Sequence, residues 1–242
     1  MKGGRSPVDQ RRPQIRQVNV PKSLPRLVRE SPLMRQGGFQ VFEERLDGDA
    51  LRRMRSEALR LLPTAEKIEV LFSPGVPSHM LKARGSKAQL SFYHGRRTLA
   101  LLHDLTGAPV VPTGRVGSYL YYTRPGDRFT VHRDDGPDHD LVLITCVADK
   151  PDLSGDGGMF CLYPYRLAEK IRTIQATPDK GAVKFRLRPG QSLVLFGRWV
   201  AHAVLPIGRN QKRIVSVVCY KFAQKNAQST QMNGGMLMKK AK

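Results

Sequence analysis

Three residues of this 242-residue chain, His132, Asp134 and His202, have the types and spacing to hold one metal ion. His132 and Asp134 lie in the run Phe129-Thr-Val-His-Arg-Asp134, which reads as a strand. Side chains two apart on a strand point to the same face, so both can address one ion. A third ligand must come from elsewhere, and Val200-Ala-His202-Ala-Val204 offers a histidine within an apolar run. Two imidazoles and one carboxylate on one face of an ion leave its other positions open, which suits a ferrous centre that also binds small reactants. Each residue alone has a plainer reading. His132 and His202 could be hydrogen-bonded or core histidines, and Asp134-Asp135-Gly136 could be turn chemistry.

These residues need a rigid frame, and the pattern around them is β. Short apolar runs occur at Ser118–Thr123, Phe129–Arg133, Leu141–Ala148, Met159–Tyr163, Ala182–Leu187, Ser192–Phe196, Val200–Leu205 and Ile214–Phe222. Turn signals separate many of them, among them Pro125-Gly126-Asp127, Gly155-Asp156-Gly157-Gly158, Pro189-Gly190 and Gly208-Arg209-Asn210. Upstream, Leu51, Met54, Ala58 and Leu61 recur at helical spacing, with Asp49 as the expected cap and Pro63 as the stop. A second helix is expected from about Ser86 through Leu105, ending before Gly107. Helices followed by about eight short strands predict an α+β, mainly β, fold: a double-stranded β-helix, or jelly roll, with supporting N-terminal helices.

Composition bounds the rest. The formal charge is +21, of which residues 1–36 carry +7 and residues 223–242 carry +4. Both ends read as basic polar tails around one catalytic domain at 37–222, and the proline-containing segment 1–36 is expected to be disordered. No apolar run reaches the roughly 18 residues of a membrane span, and the N-terminus lacks the apolar stretch of a secretion signal. Cys146, Cys161 and Cys219 are widely spaced, with no C-x-x-C pair, so neither disulfides nor structural zinc is expected and a cytoplasmic setting fits best.

Taken in order, the motifs resemble those of the prolyl 4-hydroxylase-like branch of iron(II)/2-oxoglutarate-dependent dioxygenases. Pro125-Gly126-Asp-Arg-Phe129-Thr-Val-His132-Arg-Asp134 is similar to that family's strand–turn–strand. Asp156-Gly-Gly-Met-Phe160 resembles its acidic-Gly-Gly-aromatic strand. Pro189-Gly190-Gln-Ser-Leu193-Val-Leu-Phe196 and His202-Ala-Val-Leu-Pro206 resemble the return to its second histidine, and Arg213 follows eleven positions later. The resemblance covers roughly residues 119–222.

The resemblance implies that His132, Asp134 and His202 ligate Fe(II), and that Arg213 pairs with the far carboxylate of the cosubstrate 2-oxoglutarate. For Tyr119 and Tyr121 two readings stand: one of them donates a hydrogen bond to cosubstrate or substrate, or both pack in the core. Where family members carry a serine two residues after the arginine, this chain has Val215, and alternation turns Ser216 to the opposite face. The implied activity is hydroxylation with succinate and carbon dioxide as coproducts. Halogenating relatives lack the carboxylate ligand, whereas Asp134 is present here.

The expected substrate is a small molecule, amino acid or peptide, possibly anionic. The alternatives are the same chemistry on nucleic acid, or a non-catalytic basic β-sandwich binding nucleic acid through its tails. Base-demethylating relatives carry a second arginine where this chain has Cys219.

Overall fold

The computed structural model describes residues 17–43, 47–70, 77–113, 117–134, 136, 139–150 and 156–223. Two antiparallel sheets face one another. The larger is built from β1 (Phe39–Phe42), β2 (Glu66–Val70), β3 (Ser78–Arg84), β4 (Val110–Pro112), β5 (Ser118–Tyr122), β7 (Leu141–Lys150), β10 (Ser192–Leu195) and β12 (Lys212–Phe222). Its order is β1-β10-β7-β12-β5-β3-β2, with β4 also paired to β12. The smaller consists of β6 (Phe129–His132), β8 (Phe160–Leu162), β9 (Val183–Phe185) and β11 (His202–Val204), in the order β6-β11-β8-β9. The eight runs predicted as strands all fall on strands. The remaining four, β1 to β4, extend the larger sheet.

The helices are α1 (Arg26–Arg29), α2 (Pro32–Arg35), α3 (Gly48–Leu61), α4 (Lys87–Tyr93), α5 (Arg96–Thr106) and α6 (Ile171–Ala176). In α3, Met54 and Ala58 pack on Tyr119, Tyr121, Val147 and Ile214 of the larger sheet. Its cap is Asp47, whose carboxylate accepts from the Ala50 amide at 2.6 Å, rather than Asp49. A cap must sit outside the first turn, and Asp49 already lies within it, where it complements the helix dipole. The second expected helix is two. α4 ends at Tyr93, and Gly95 is the N-cap of α5. On the other side of the molecule, Ile174 of α6 covers the outer face of the smaller sheet at Val131, Cys161 and Ala203.

The N-terminal boundary needs correction. Leu24, Val28, Leu33 and Met34 are buried in the main core, so the folded domain begins well before residue 37. The prolines there start helices instead of preventing them. Pro25 is the N-cap of α1, and Pro32 is the first residue of α2, behind the Ser31 cap. At that position proline forfeits no helical hydrogen bond. Residues 1–16 and 224–242, the remainder of the two expected tails, lie outside the described residues.

Candidate metal and cosubstrate site

The site lies between the sheets, and local geometry explains how each side chain reaches it. The Asp127 carboxylate accepts from the Thr123 and Arg124 amides, both at 2.8 Å, and so holds the Pro125-Gly126 turn that feeds β6. β6 and β11 then pair antiparallel with His132 directly opposite His202, which puts both imidazoles on one face with ring centroids 4.1 Å apart. Asp134 lies just past the end of β6, tied by its amide to the Gly197 carbonyl at 2.9 Å. Its Oδ1 is 3.7 Å from His132 Nε2, and its Oδ2 is 3.8 Å from His202 Nε2. One ligand atom from each of the three residues lies within 4.8 Å of the others.

The donor set fits a divalent metal ion. His132 Nδ1 is 2.8 Å from the Thr130 carbonyl, and His202 Nδ1 is 3.0 Å from the Val200 carbonyl. A carbonyl can only accept, so each Nδ1 must carry the proton, which leaves the Nε2 lone pairs facing Asp134. Burial, and then the neighbouring His202 ring, hold the His132 pKa well below its ordinary value, favouring the neutral ligand form. Asp134 Oδ2 is buried and has no hydrogen-bond partner among the described residues. A carboxylate oxygen in that state is costly unless a cation or donor completes it.

Arg213, on β12, is only 1% exposed. Its guanidinium lies over the Phe160 ring at 4.8 Å and donates to the Gly158 carbonyl and, at 3.4 Å, to the Leu187 carbonyl. It forms no ion pair among the described residues, and its Nε has no partner there. The nearby carboxylate of Asp149 is instead engaged by Arg186. A buried cation without a counter-charge is unfavourable, and a bound carboxylate would supply one. Ser216, on the opposite face of β12, accepts from Gln89 Nε2 at 2.8 Å.

Of the two readings for Tyr119 and Tyr121, the contact with cosubstrate or substrate is overturned. Both face α3, where Tyr119 donates to Glu57 Oε1 at 3.0 Å and Tyr121 donates to the Ala58 carbonyl at 2.8 Å. Leu120 and Tyr122 occupy the inner face, and Tyr122 is directly paired with Arg213 across the β5–β12 ladder. The run from Tyr119 to Tyr122 is buried throughout because helices cover the outer face. Hydrophobic alternation, which normally reveals which residues point inward, is therefore absent from it. Tyr122 was missed for this reason.

Tyr122 and Phe160 border the space between the sheets, and the Arg213 guanidinium lies against the Phe160 ring. A small cavity of about 80 Å³ there is lined by Tyr122, Asp134, Phe160, His202 and Val215, among others. It shares Leu120, Phe129, Asp134, His139, Val217 and Cys219 with an open cleft of about 630 Å³. The cleft runs across the inner face of β2 and β3 along Ile68, Val70, Met80 and Lys82. Strands β2 and β3, which the sequence pattern left unassigned, thus form one wall of the approach to the candidate metal site.

No protein-family model and no curated protein matches the chain. Solved structures do. The non-haem α-ketoglutarate-dependent epimerase SnoN from nogalamycin biosynthesis aligns at TM-score 0.62 and 20% identity, covering 77% of each chain. A 2OG-Fe(II) oxygenase family oxidoreductase from Burkholderia pseudomallei aligns at 0.59 and 15% identity, covering 78% of this chain and 87% of that one. A prolyl hydroxylase from Trichoplax adhaerens, solved with a hypoxia inducible factor peptide, aligns at 0.59 and 15% identity over 82% and 90%. This chain therefore has the double-sheet fold shared by these three solved structures.

Proposed function

We propose that this chain is a non-haem iron(II), 2-oxoglutarate-dependent oxygenase. The observation that carries the reading is the convergence of His132 and Asp134 from one segment with His202 from another, with their ligand atoms within 4.8 Å. His132 and His202 would hold the metal through Nε2, and Asp134 would hold it through its carboxylate. Arg213 would take the far carboxylate of 2-oxoglutarate, because its fork suits two parallel hydrogen bonds. Tyr122, not Tyr119 or Tyr121, would lie beside that carboxylate.

When bound, iron(II) would supply dioxygen activation coupled to oxidative decarboxylation of 2-oxoglutarate to succinate and carbon dioxide. The chain's own residues orient and shield. The Thr130 and Val200 carbonyls fix the tautomers of the two histidines, and Phe129, Phe160 and Val204 wall the inner cavity with apolar surface. Because Asp134 fills the carboxylate position, the proposed outcome is hydroxylation rather than halogenation. The cleft is lined largely by apolar side chains, with Lys82 the one Lys or Arg among its described lining residues. That lining supports a small molecule, amino acid or peptide over a polyanion, with Lys82 available to an acidic group.

Anaerobic titration of the protein with iron(II) and 2-oxoglutarate, followed by visible absorption, tests the reading. A band that requires both components, and succinate release on admitting oxygen, are expected. A folded protein that shows neither would overturn it.

A further inference from the structure

We infer that Gly197 and Arg133 are positioning residues that set the Asp134 carboxylate in the metal site, an inference that rests on the metal centre proposed above. Asp134 lies beyond the last residue of β6, and no hydrogen bond from a described residue holds its Oδ2. What bounds it is the turn Gly197–Trp199, which leads into β11 and its ligand His202. The Asp134 amide donates to the Gly197 carbonyl at 2.9 Å, and Arg133 Nε donates to the Trp199 carbonyl at 2.9 Å. Two adjacent residues of one ligand segment are thereby fastened to the turn that delivers the other ligand.

Gly197 matters for space. It is not among the glycines with positive φ, so its backbone does not demand glycine. A Cβ added there would stand 1.8 Å from Asp134 Oδ2 and 3.0 Å from Asp134 Cγ, with Val142 Cγ2 at 2.9 Å. The carboxylate is the freest of these to move, and it would have to retreat by about an ångström or more. Metal–ligand distances tolerate only about 0.2 Å, so that movement takes Asp134 out of the coordination sphere while leaving the strands in register.

Arg133 supplies the complementary restraint. Besides Trp199, its guanidinium donates to the carbonyls of Glu169 at 3.0 Å, Arg166 at 3.1 Å and Leu167 at 3.0 Å. One planar fork thus draws the 166–169 loop, the end of β6 and the 197–199 turn together. A lysine ammonium, with three donors on a single nitrogen, cannot reproduce that spread.

The test compares wild type, Gly197→Ala and Arg133→Lys as full chains, by anaerobic Co(II) titration, the visible spectrum of the Co(II) forms and the melting temperature of the metal-free proteins. Gly197→Ala should melt close to wild type without metal, yet bind Co(II) roughly 10–100-fold more weakly, with an altered spectrum. Arg133→Lys should shift affinity and spectrum in the same direction. A folded Gly197→Ala with wild-type affinity and spectrum overturns the role of Gly197. If that variant fails to fold, unchanged Co(II) binding by folded Arg133→Lys overturns the proposal. Absence of Co(II) binding by wild type would remove the metal centre itself, a result distinct from a difference between variants.

Discussion

Two buried polar clusters lie on opposite faces of the same sheet, and they differ in whether the protein completes them. On the outer face, the Glu57 carboxylate accepts from the Ser86 amide and hydroxyl, the Ala88 and Gln89 amides and the Tyr119 hydroxyl, at 2.7–3.2 Å. It caps the start of α4 from a neighbouring helix. On the inner face, Asp134 Oδ2 and Arg213 Nε are buried without partners among the described residues, and Arg213 forms no ion pair there, its cross-strand neighbour Asp149 being engaged by Arg186. A lone orphan marks little, since Gln89 Oε1 and Arg166 Nε also lack partners. An unpartnered Asp134 oxygen beside two imidazoles at one small cavity, with the Arg213 Nε unpartnered behind Phe160, is the arrangement the proposed ligands would complete. A satisfied network stabilises a fold, while an incomplete one is retained at a cost that function explains.

Substitutions on the two faces should therefore separate stability from ligand binding. The largest effect is expected from His132→Ala or His202→Ala. Either should weaken iron(II) binding by more than the roughly 100-fold typical of losing an outer contact to a ligand, and abolish succinate production. The metal-free protein should still fold, which circular dichroism would check. Near-normal iron binding in either variant would erase the contrast between the faces.

Arg213→Ala should come next. Loss of a charge-assisted pair of about 1.5–3 kcal/mol predicts roughly a 10–150-fold higher 2-oxoglutarate requirement, with iron affinity nearly unchanged. Superimposable cosubstrate titrations of variant and wild type would remove Arg213 from the site.

The outer face should behave in the opposite way. Glu57→Ala leaves several buried donors without an acceptor and should cost about 2–4 kcal/mol of stability in urea unfolding, while the remaining folded protein binds cosubstrate normally. Burial alone would raise the Glu57 pKa, but hydrogen bonds from Ala88, Ser86 and Gln89 outweigh it and hold the value below the ordinary one. Its contribution to stability is thus fully present above the unfolded carboxyl pKa and is lost as pH falls through the depressed folded value. Glu57→Gln should flatten that acid-side slope, and an unchanged slope would argue against the cap.

The smallest and most discriminating pair is Tyr122→Phe against Tyr121→Phe. The first should raise the 2-oxoglutarate requirement several-fold at near-normal stability. The second should lose about 1 kcal/mol of stability, the ordinary worth of its bond to Ala58, with no change in cosubstrate use. A reversed outcome would restore Tyr121 to the site.

Much of the site was legible because its signals are local. His132 and Asp134 are two positions apart in one strand-like run, although β6 itself ends at His132, His202 sits in its own apolar run, and Arg213 follows eleven positions later. The eight predicted strands were equally plain, since they are apolar runs and many are closed by Gly, Pro or Asn turns. Strands β2 and β3 were not. Glu66-Lys-Ile-Glu-Val70 and Ser78-His-Met-Leu-Lys-Ala-Arg84 are mixed sequences that become strands by pairing with each other and with β5. The N-terminal core residues were hidden for a related reason. Leu24, Val28, Leu33 and Met34 are sparse among prolines and arginines, and only packing against the main core makes the segment ordered.

The sequence alone therefore determined which side chains could come together as metal ligands, which local runs carry them and that the architecture is a double sheet, because residue type, alternation and turn chemistry act over a few positions. Tertiary structure decided which tyrosine faces inward, that Gly197 borders the Asp134 carboxylate, and that Glu57 completes a cap while Arg213 forms no ion pair among the described residues. Those outcomes depend on what covers each face of the sheet, and that cover comes from elements far away in the chain.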